Sequence, residues 1–305
     1  MQTLEQFPRF EAFRYSTAVA FEPGISRRDP SPVVELDSSF YVWYSKSTAD
    51  PSGYAASVWY ATSEDGVRWT ERGEALPKGP SGSWDEHGVF TPSILIAGEA
   101  YYLFYTAVGD PFDNDNGGPG GNKTAIGVAV AEIPEGPWQR CGDMPVLTTT
   151  ASAEVFDSHR VDDSCLLVRD GTYWLYYKGR QLGLSPAETK MGVAMADEPS
   201  GPYVKLDSNP IISSGHEVCV WPHGAGIAAI MAPVGPQGSS LQYSHDGLHF
   251  DRVCSIEPPI APGPFRVDRF TEGLGNGITW GISMAFDRGS GWPYLLRFDA
   301  DLRSR

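Results

Sequence analysis

No window of eighteen consecutive apolar residues occurs in the 305-residue sequence, so no membrane-spanning helix is expected. Cysteine is scarce: Cys141, Cys165, Cys219 and Cys254 are the whole set, and no two stand in CxxC spacing. That removes zinc ribbons and thioredoxin-like motifs, and leaves four small hydrophobes suited to a reducing compartment. Basic charge is also short. Lys and Arg number 23 against 38 Asp and Glu, a net charge of −15. A field of that sign repels phosphate backbones, so nucleic acid is not an expected partner. The start, MQTLEQFPRFEAFRYSTAVAF, lacks a basic region followed by an apolar core. A cytoplasmic location is the expectation, with a periplasmic or secreted one open if a leader has been removed. Sustained helical periodicity is absent apart from one turn near Leu4–Phe13, and no glycine-rich strand-to-helix loop marks a nucleotide site.

Turn residues and aromatics are plentiful. The chain has 34 Gly and 25 Pro, with 9 Trp, 14 Tyr and 14 Phe, which fits many short elements joined by many turns. A repeat organises them. RRDPSPVVELDSSFYVWYSKS at 27–47 returns as VFTPSILIAGEAYYLFYTA at 89–107 and as RVDDSCLLVRDGTYWLYYKGR at 160–180. HEVCVWPHGAGIAAIMAPV at 216–234 is a weaker fourth copy, and NGITWGISMAFD at 276–287 a fifth. Between them lies a second repeat, a strand, a Gly turn and a strand opening on Trp69, Trp138, Tyr203 or Phe250. Each unit is therefore two hairpins. Asp29 to Thr91 is 62 residues, Thr91 to Asp162 is 71 and Asp162 to Glu217 is 55. Four antiparallel strands repeated radially five times predict an all-β, five-bladed β-propeller in one domain, with residues 1–25 as an N-terminal extension.

In a propeller the innermost strands open around one mouth. Asp29, Thr91, Asp162 with Asp163, His216 with Glu217, and a position near Asn276 are the expected openings. Singly, each has a plain structural reading. Asp29 before Pro-Ser caps a turn, Asp163 caps the Asp-Asp-Ser turn, and His216 is a hydrogen-bonded structural histidine. Together they bring carboxylates and an imidazole into one mouth, which is what glycoside hydrolysis needs: an acid for the leaving oxygen and a base for water. Trp84, His87, Thr91, His159, Arg160, Lys178, Arg180, Gln181 and Trp221 flank these motifs and are candidates for holding a sugar. For Trp84 and Trp221 the alternative is blade packing, and for Lys178 and Arg180 a solvated strand end. The polar stretch 109–123 is a lid or simply a mobile loop. Its DNDNGG echoes a calcium loop without the glutamate an EF-hand places at position 12.

The segments SRRDPSPV (26–33), WDEHGVFTPSI (84–94), SHRVDDSCLL (158–167), YWLYYKGRQ (173–181), GHEVCVWP (215–222) and TWGISM (279–284) resemble family 43-type five-bladed glycosidases. More closely, they resemble glycoside hydrolase family 117, the exo-acting 3,6-anhydro-α-L-galactosidases. The resemblance implies Asp29 as general base, Asp162 as the aspartate that orients and tunes the acid, and His216 as general acid, with Glu217 supporting it or binding the sugar. A neighbouring carboxylate is expected to keep the imidazole protonated. In the wider superfamily a glutamate opening blade four is the acid, so Glu217 stands as the other candidate donor.

The implied activity is inverting release of terminal 3,6-anhydro-L-galactose from neoagaro-oligosaccharides, the α-1,3-linked fragments of agar. A family 43-like arabinosidase or xylosidase is the same-class alternative, against which the His-Glu opening argues. A non-catalytic carbohydrate-binding propeller is the other, against which the joint presence of Asp29, Asp162 and His216 argues. No cofactor is required by the sequence. A divalent cation in the channel is an expectation without a legible ligand set. The family's longer helical N-terminal segment swaps between subunits. Only 28 residues precede Asp29 here, so a homodimer built that way is an open expectation.

Overall fold

The aromatic-rich half of each repeat becomes the second strand of a four-stranded antiparallel unit. Ser39–Ser47, Ala100–Val108 and Thr172–Arg180 are these strands in the first three units. Their centres are continuously buried, because neighbouring units cover both faces of each sheet. The structure is a computed structural model, and it describes residues 12–48, 51–111 and 122–304. The expected helical turn near Leu4–Phe13 and most of the polar stretch 109–123 lie outside those residues.

Unit one has an inner strand in two pieces, Ser26–Arg28 and Val34–Leu36, followed by Ser39–Ser47, Ser57–Ser63 and Thr70–Leu76. Unit two is Gly88–Ala97, Ala100–Val108, Ala125–Ala131 and Gln139–Arg140. Unit three is Arg160–Arg169, Thr172–Arg180, Lys190–Ala196 and Val204–Lys205. Unit four is Cys219–Gly224, Gly226–Met231, Ser240–Ser244 and Asp251–Ser255. The last unit is Ile260–Pro264, Gly275–Phe286, Pro293–Arg303 and, as its outermost strand, Arg14–Val19 from the start of the chain. Part of the expected N-terminal extension is thus a sheet strand. The last two units share one sheet through His223 opposite Asn276 and Gly224 opposite Gly275. Among the described residues the only helical element is a 3₁₀ turn, Pro186–Glu188. The fold is all-β and propeller-like.

The fifth opening differs from the sequence expectation. Asn276 sits in the second strand of the last unit, and the inner strand is the proline-rich Ile260–Pro264. Two prolines and a glycine hide that strand from pattern reading. First and last inner strands meet directly. Val33 donates its N–H to Pro264 O at 3.0 Å, and Arg266 donates its N–H to Val33 O at 2.8 Å.

Aromatic wedges join the units. The residue before each outer strand packs on the preceding unit: Trp138 on Trp43 with ring centroids 6.0 Å apart, Tyr203 on Phe104 at 5.8 Å, and Phe250 on Tyr176 at 6.5 Å. Trp69 of unit one packs against the cluster containing Trp280, Ile282 and Leu295 of the last unit. Edge-to-face pairs of this kind contribute about 0.5–1.5 kcal/mol each beyond burial.

Candidate active site

Five inner strands open on a residue in left-handed backbone: Asp29 (φ 51°), Thr91 (45°), Asp163 (50°), Glu217 (59°) and Ala261 (46°). Three of these strands carry a register shift at that point, between Phe90 and Ser93, Asp162 and Cys165, and Ile260 and Gly263. A bulge of this sort re-aims side chains. Non-glycine residues in this region store strain of about 1–3 kcal/mol each, typically at functional sites. Two residues on, each strand has a small buried residue: Ser31, Ser93, Cys165, Cys219 and Gly263. A Cβ at Gly263 would lie 2.0 Å from Ser31 O, so the inner strands approach too closely there for any side chain.

These openings surround a cleft of about 730 Å³ that Asp29, Thr91, Arg160, Asp162, Asp163, Lys178, Arg180, His216 and Glu217 line. Its floor continues between all five inner strands, past Pro32, Cys165, Val218 and Pro262. Farther along, fully buried Arg266 reaches from the fifth inner strand to the third. It donates to Leu166 O at 3.1 Å and pairs with Asp268 at 2.6 Å.

Charge pairing sets the protonation states. Arg28 Nε lies 2.7 Å from Asp29 Oδ2, its other nitrogens donate to Ser52 O and Tyr54 Oη, and it stacks over the Tyr54 ring at 4.6 Å. Burial pushes the Asp29 carboxyl up, and Arg28 opposes that shift. Lys178 Nζ bridges Asp162 Oδ1 at 3.0 Å and Asp163 Oδ2 at 2.6 Å. Burial raises Asp162 to about 6 despite Lys178. For Asp163 burial acts the same way, but Lys178, His216 and the Glu217 N–H prevail and hold it below the usual range. Burial pushes Glu217 up to about 7, helped by Asp29 and Asp163 and opposed by an N–H from Ala261 at 2.8 Å. His216 goes the other way from the sequence expectation. Burial first, then Lys178, Arg28 and Arg180, bring it down to about 4, so its imidazole is neutral at neutral pH. Three nearby cations outweigh Asp163. Glu217 Oε1 is 3.9 Å from His216 Nε2, but its own raised pKa leaves it a weak anion there.

The structure does not bring every candidate to the cleft. Trp84 stacks on Tyr105 at 5.8 Å inside unit two, and Trp221 is fully buried in the core of unit four. His87 turns to Glu86, 3.1 Å away. His159 is buried, its N–H donating to Arg180 O, and Gln181, just beyond Arg180, is half-buried and does not line the cleft. Sequence reasoning passed over Arg28 and Tyr54, and gave Asp163 only a capping role. The signal for Asp163 was present: Asp29-Pro-Ser, Thr91-Pro-Ser, Asp163-Ser-Cys, Glu217-Val-Cys and Ala261-Pro-Gly align on the small third residue. Arg28 precedes Asp29 in the same motif, whereas Tyr54 comes from a loop with no repeat partner. Among the described residues no group of three or more His, Cys, Asp or Glu is arranged to hold a metal ion.

Carboxylates with separated protonation states in a cleft on a propeller-like frame are the equipment of a glycoside hydrolase, and the chain is one. The model of the glycosyl hydrolases family 43 matches residues 22–183. The structure is similar to Zg3597, a family 117 glycoside hydrolase produced by the marine bacterium Zobellia galactanivorans, with 31% identity, 96% of this chain and 91% of that chain covered, and a TM-score of 0.85. The chain belongs to glycoside hydrolase family 117. More distant likenesses show the fold alone. An endo-arabinase from Bacteroides thetaiotaomicron matches at 14% identity over 92% of this chain and 96% of that one, TM-score 0.57. A GH43_1 enzyme from Xanthomonas citri matches at 14% over 98% and 93%, TM-score 0.57.

Proposed function

We propose that the five units close into a single five-bladed propeller domain, and that its cleft is the active site of an exo-acting, inverting glycosidase. The substrate class is neoagaro-oligosaccharides, from which terminal 3,6-anhydro-L-galactose is released at the α-1,3 linkage. The membership of family 117 and the motifs named above support that choice of sugar.

Asp29 is the base. Arg28 keeps it ionised, so it can take a proton from the attacking water. The acid comes from the His216–Glu217 pair. Burial lets Glu217 hold a proton up to about pH 7 in the unliganded enzyme, and the observation that carries the mechanism is geometric: a buried glutamate in the same cleft as an arginine-paired carboxylate. Water attacks the anomeric carbon as the glycosidic bond breaks. Asp29 gains the water's proton and the pair gives one to the leaving oxygen. Lys178, bridging Asp162 and Asp163, offsets one of their two charges and so limits the negative charge against which Glu217 must later ionise. Product analysis on neoagarobiose tests the reading, with NMR of the first-formed anomer. Released 3,6-anhydro-L-galactose of inverted configuration is expected. No hydrolysis overturns the substrate, and retention overturns the base role of Asp29.

A further inference from the structure

The cleft holds two cations that the mechanism does not employ, Arg180 and Arg160. Arg28 is taken up by Asp29, and Lys178 by Asp162 and Asp163. Arg180 lines the same cleft and is only 3% exposed, yet its side chain has neither a hydrogen bond nor an ion pair among the described residues. Its Nε is shut off from solvent with no hydrogen-bond partner among the described residues. A buried guanidinium is strongly disfavoured unless something completes it, and burial does weaken its hold on the proton. Arg160 is its cross-strand neighbour and lines the cleft too. Like charges directly opposite each other in a sheet repel. Asp162 draws on both arginines, but Lys178 already holds it at 3.0 Å, and sugar hydroxyls would fill hydrogen-bonding positions without supplying a negative charge to Arg180.

On the glycosidase reading of the cleft, on which this step rests, we infer that Arg180, with Arg160 beside it, receives an anionic substituent of the sugar: a sulfate ester or a carboxylate. A guanidinium fork presents paired N–H groups that match two oxygens of such a group, which an ammonium cannot do. The preferred substrates are then charged glycosides, and Arg180 is a specificity-determining residue.

Two measurements on the full-length protein test this separately from the choice of sugar. In the first, sodium sulfate and sodium glucuronate are titrated calorimetrically into the wild type, Arg180→Gln and Arg180→Lys, each first checked for fold by circular dichroism. At least tenfold weaker binding is expected in Arg180→Gln, with Arg180→Lys in between. The tighter of the two probes identifies the substituent. If Arg180→Gln does not fold, the wild type against Arg180→Lys makes the same comparison. Absence of binding by both probes, or equal affinity in the variants, overturns the inference. In the second, kcat/KM is compared for sulfated, uronate-bearing and neutral oligosaccharides. A preference of at least tenfold for a charged one, lost in the Arg180 variant, is expected. Equal rates on neutral and charged neoagaro-oligosaccharides overturn the anion site and leave the proposed function standing. Anion binding at Arg180 without hydrolysis of any agar fragment does the reverse.

Discussion

Lys178 holds Asp162 and Asp163 at once, with its Nζ 3.0 Å from one carboxylate and 2.6 Å from the next. Consecutive strand residues ordinarily point to opposite faces. Here the left-handed backbone of Asp163 turns its side chain back, so one ammonium reaches both.

Removal of that ammonium has a calculable consequence. Lys178→Met leaves two buried carboxylates without their cation, a loss of about 3–5 kcal/mol in stability at neutral pH. Both carboxyls would then be protonated more readily in the folded state than in the unfolded one. The deficit against wild type therefore shrinks as pH falls through the carboxylate range. Urea melts at pH 5 and pH 8 check this, and an equal deficit at both would contradict it.

Asp29→Asn removes the base without emptying the space beside Arg28. Turnover is expected to fall by at least about 10²–10⁴-fold. A substrate with a good leaving group should not restore it, because the missing step is activation of water. Steady-state kinetics on natural and aryl glycosides give the answer.

The donor is assigned by the complementary experiment. With an activated leaving group, protonation matters little, so the variant that has lost the true donor is rescued. Glu217→Gln is expected to be rescued and His216→Ala is not. The opposite outcome assigns the proton to His216, as the family resemblance implies.

A pH profile separates the same two residues without mutation. A donor must begin protonated. Glu217, at about 7, loses its proton above that pH, so kcat/KM should decline above about 7. His216, at about 4, would place the decline above about 4. The acid limb belongs to Asp29, which must be ionised. Its raised pKa puts that limb above the position of an ordinary aspartate.

Trp84→Ala should lower stability by roughly 3 kcal/mol and leave KM unchanged, because the ring stacks on Tyr105 inside unit two and not on a sugar. A raised KM at unaltered stability would return Trp84 to the cleft.

The hairpin spacing of the first four units was legible because alternation and turn residues act locally. The aromatics that open the outer strands were legible, but not their packing: Trp138, Tyr203 and Phe250 each reach across a unit boundary, which local pattern does not show. The bulges were harder to read. A one-residue shift exchanges the faces of a strand, so Asp162 and Asp163, or His216 and Glu217, cannot be told apart by alternation. The proline-rich strand carrying Ala261 showed no alternation, and Asn276 was taken in its place. Protonation was the least legible property. The state of His216 depends on Lys178, Arg28 and Arg180, which come from other strands.

Arg266, just past the fifth inner strand, reaches the carbonyl of Leu166 on the third and so crosses the space between inner strands. In the proposed ring this makes the site a cul-de-sac. A polymer cannot be threaded through it, and the freed sugar cannot leave by a back door. On the proposed exo-acting reading, each cut would be followed by withdrawal of the shortened chain past the same rim it entered, in separate visits.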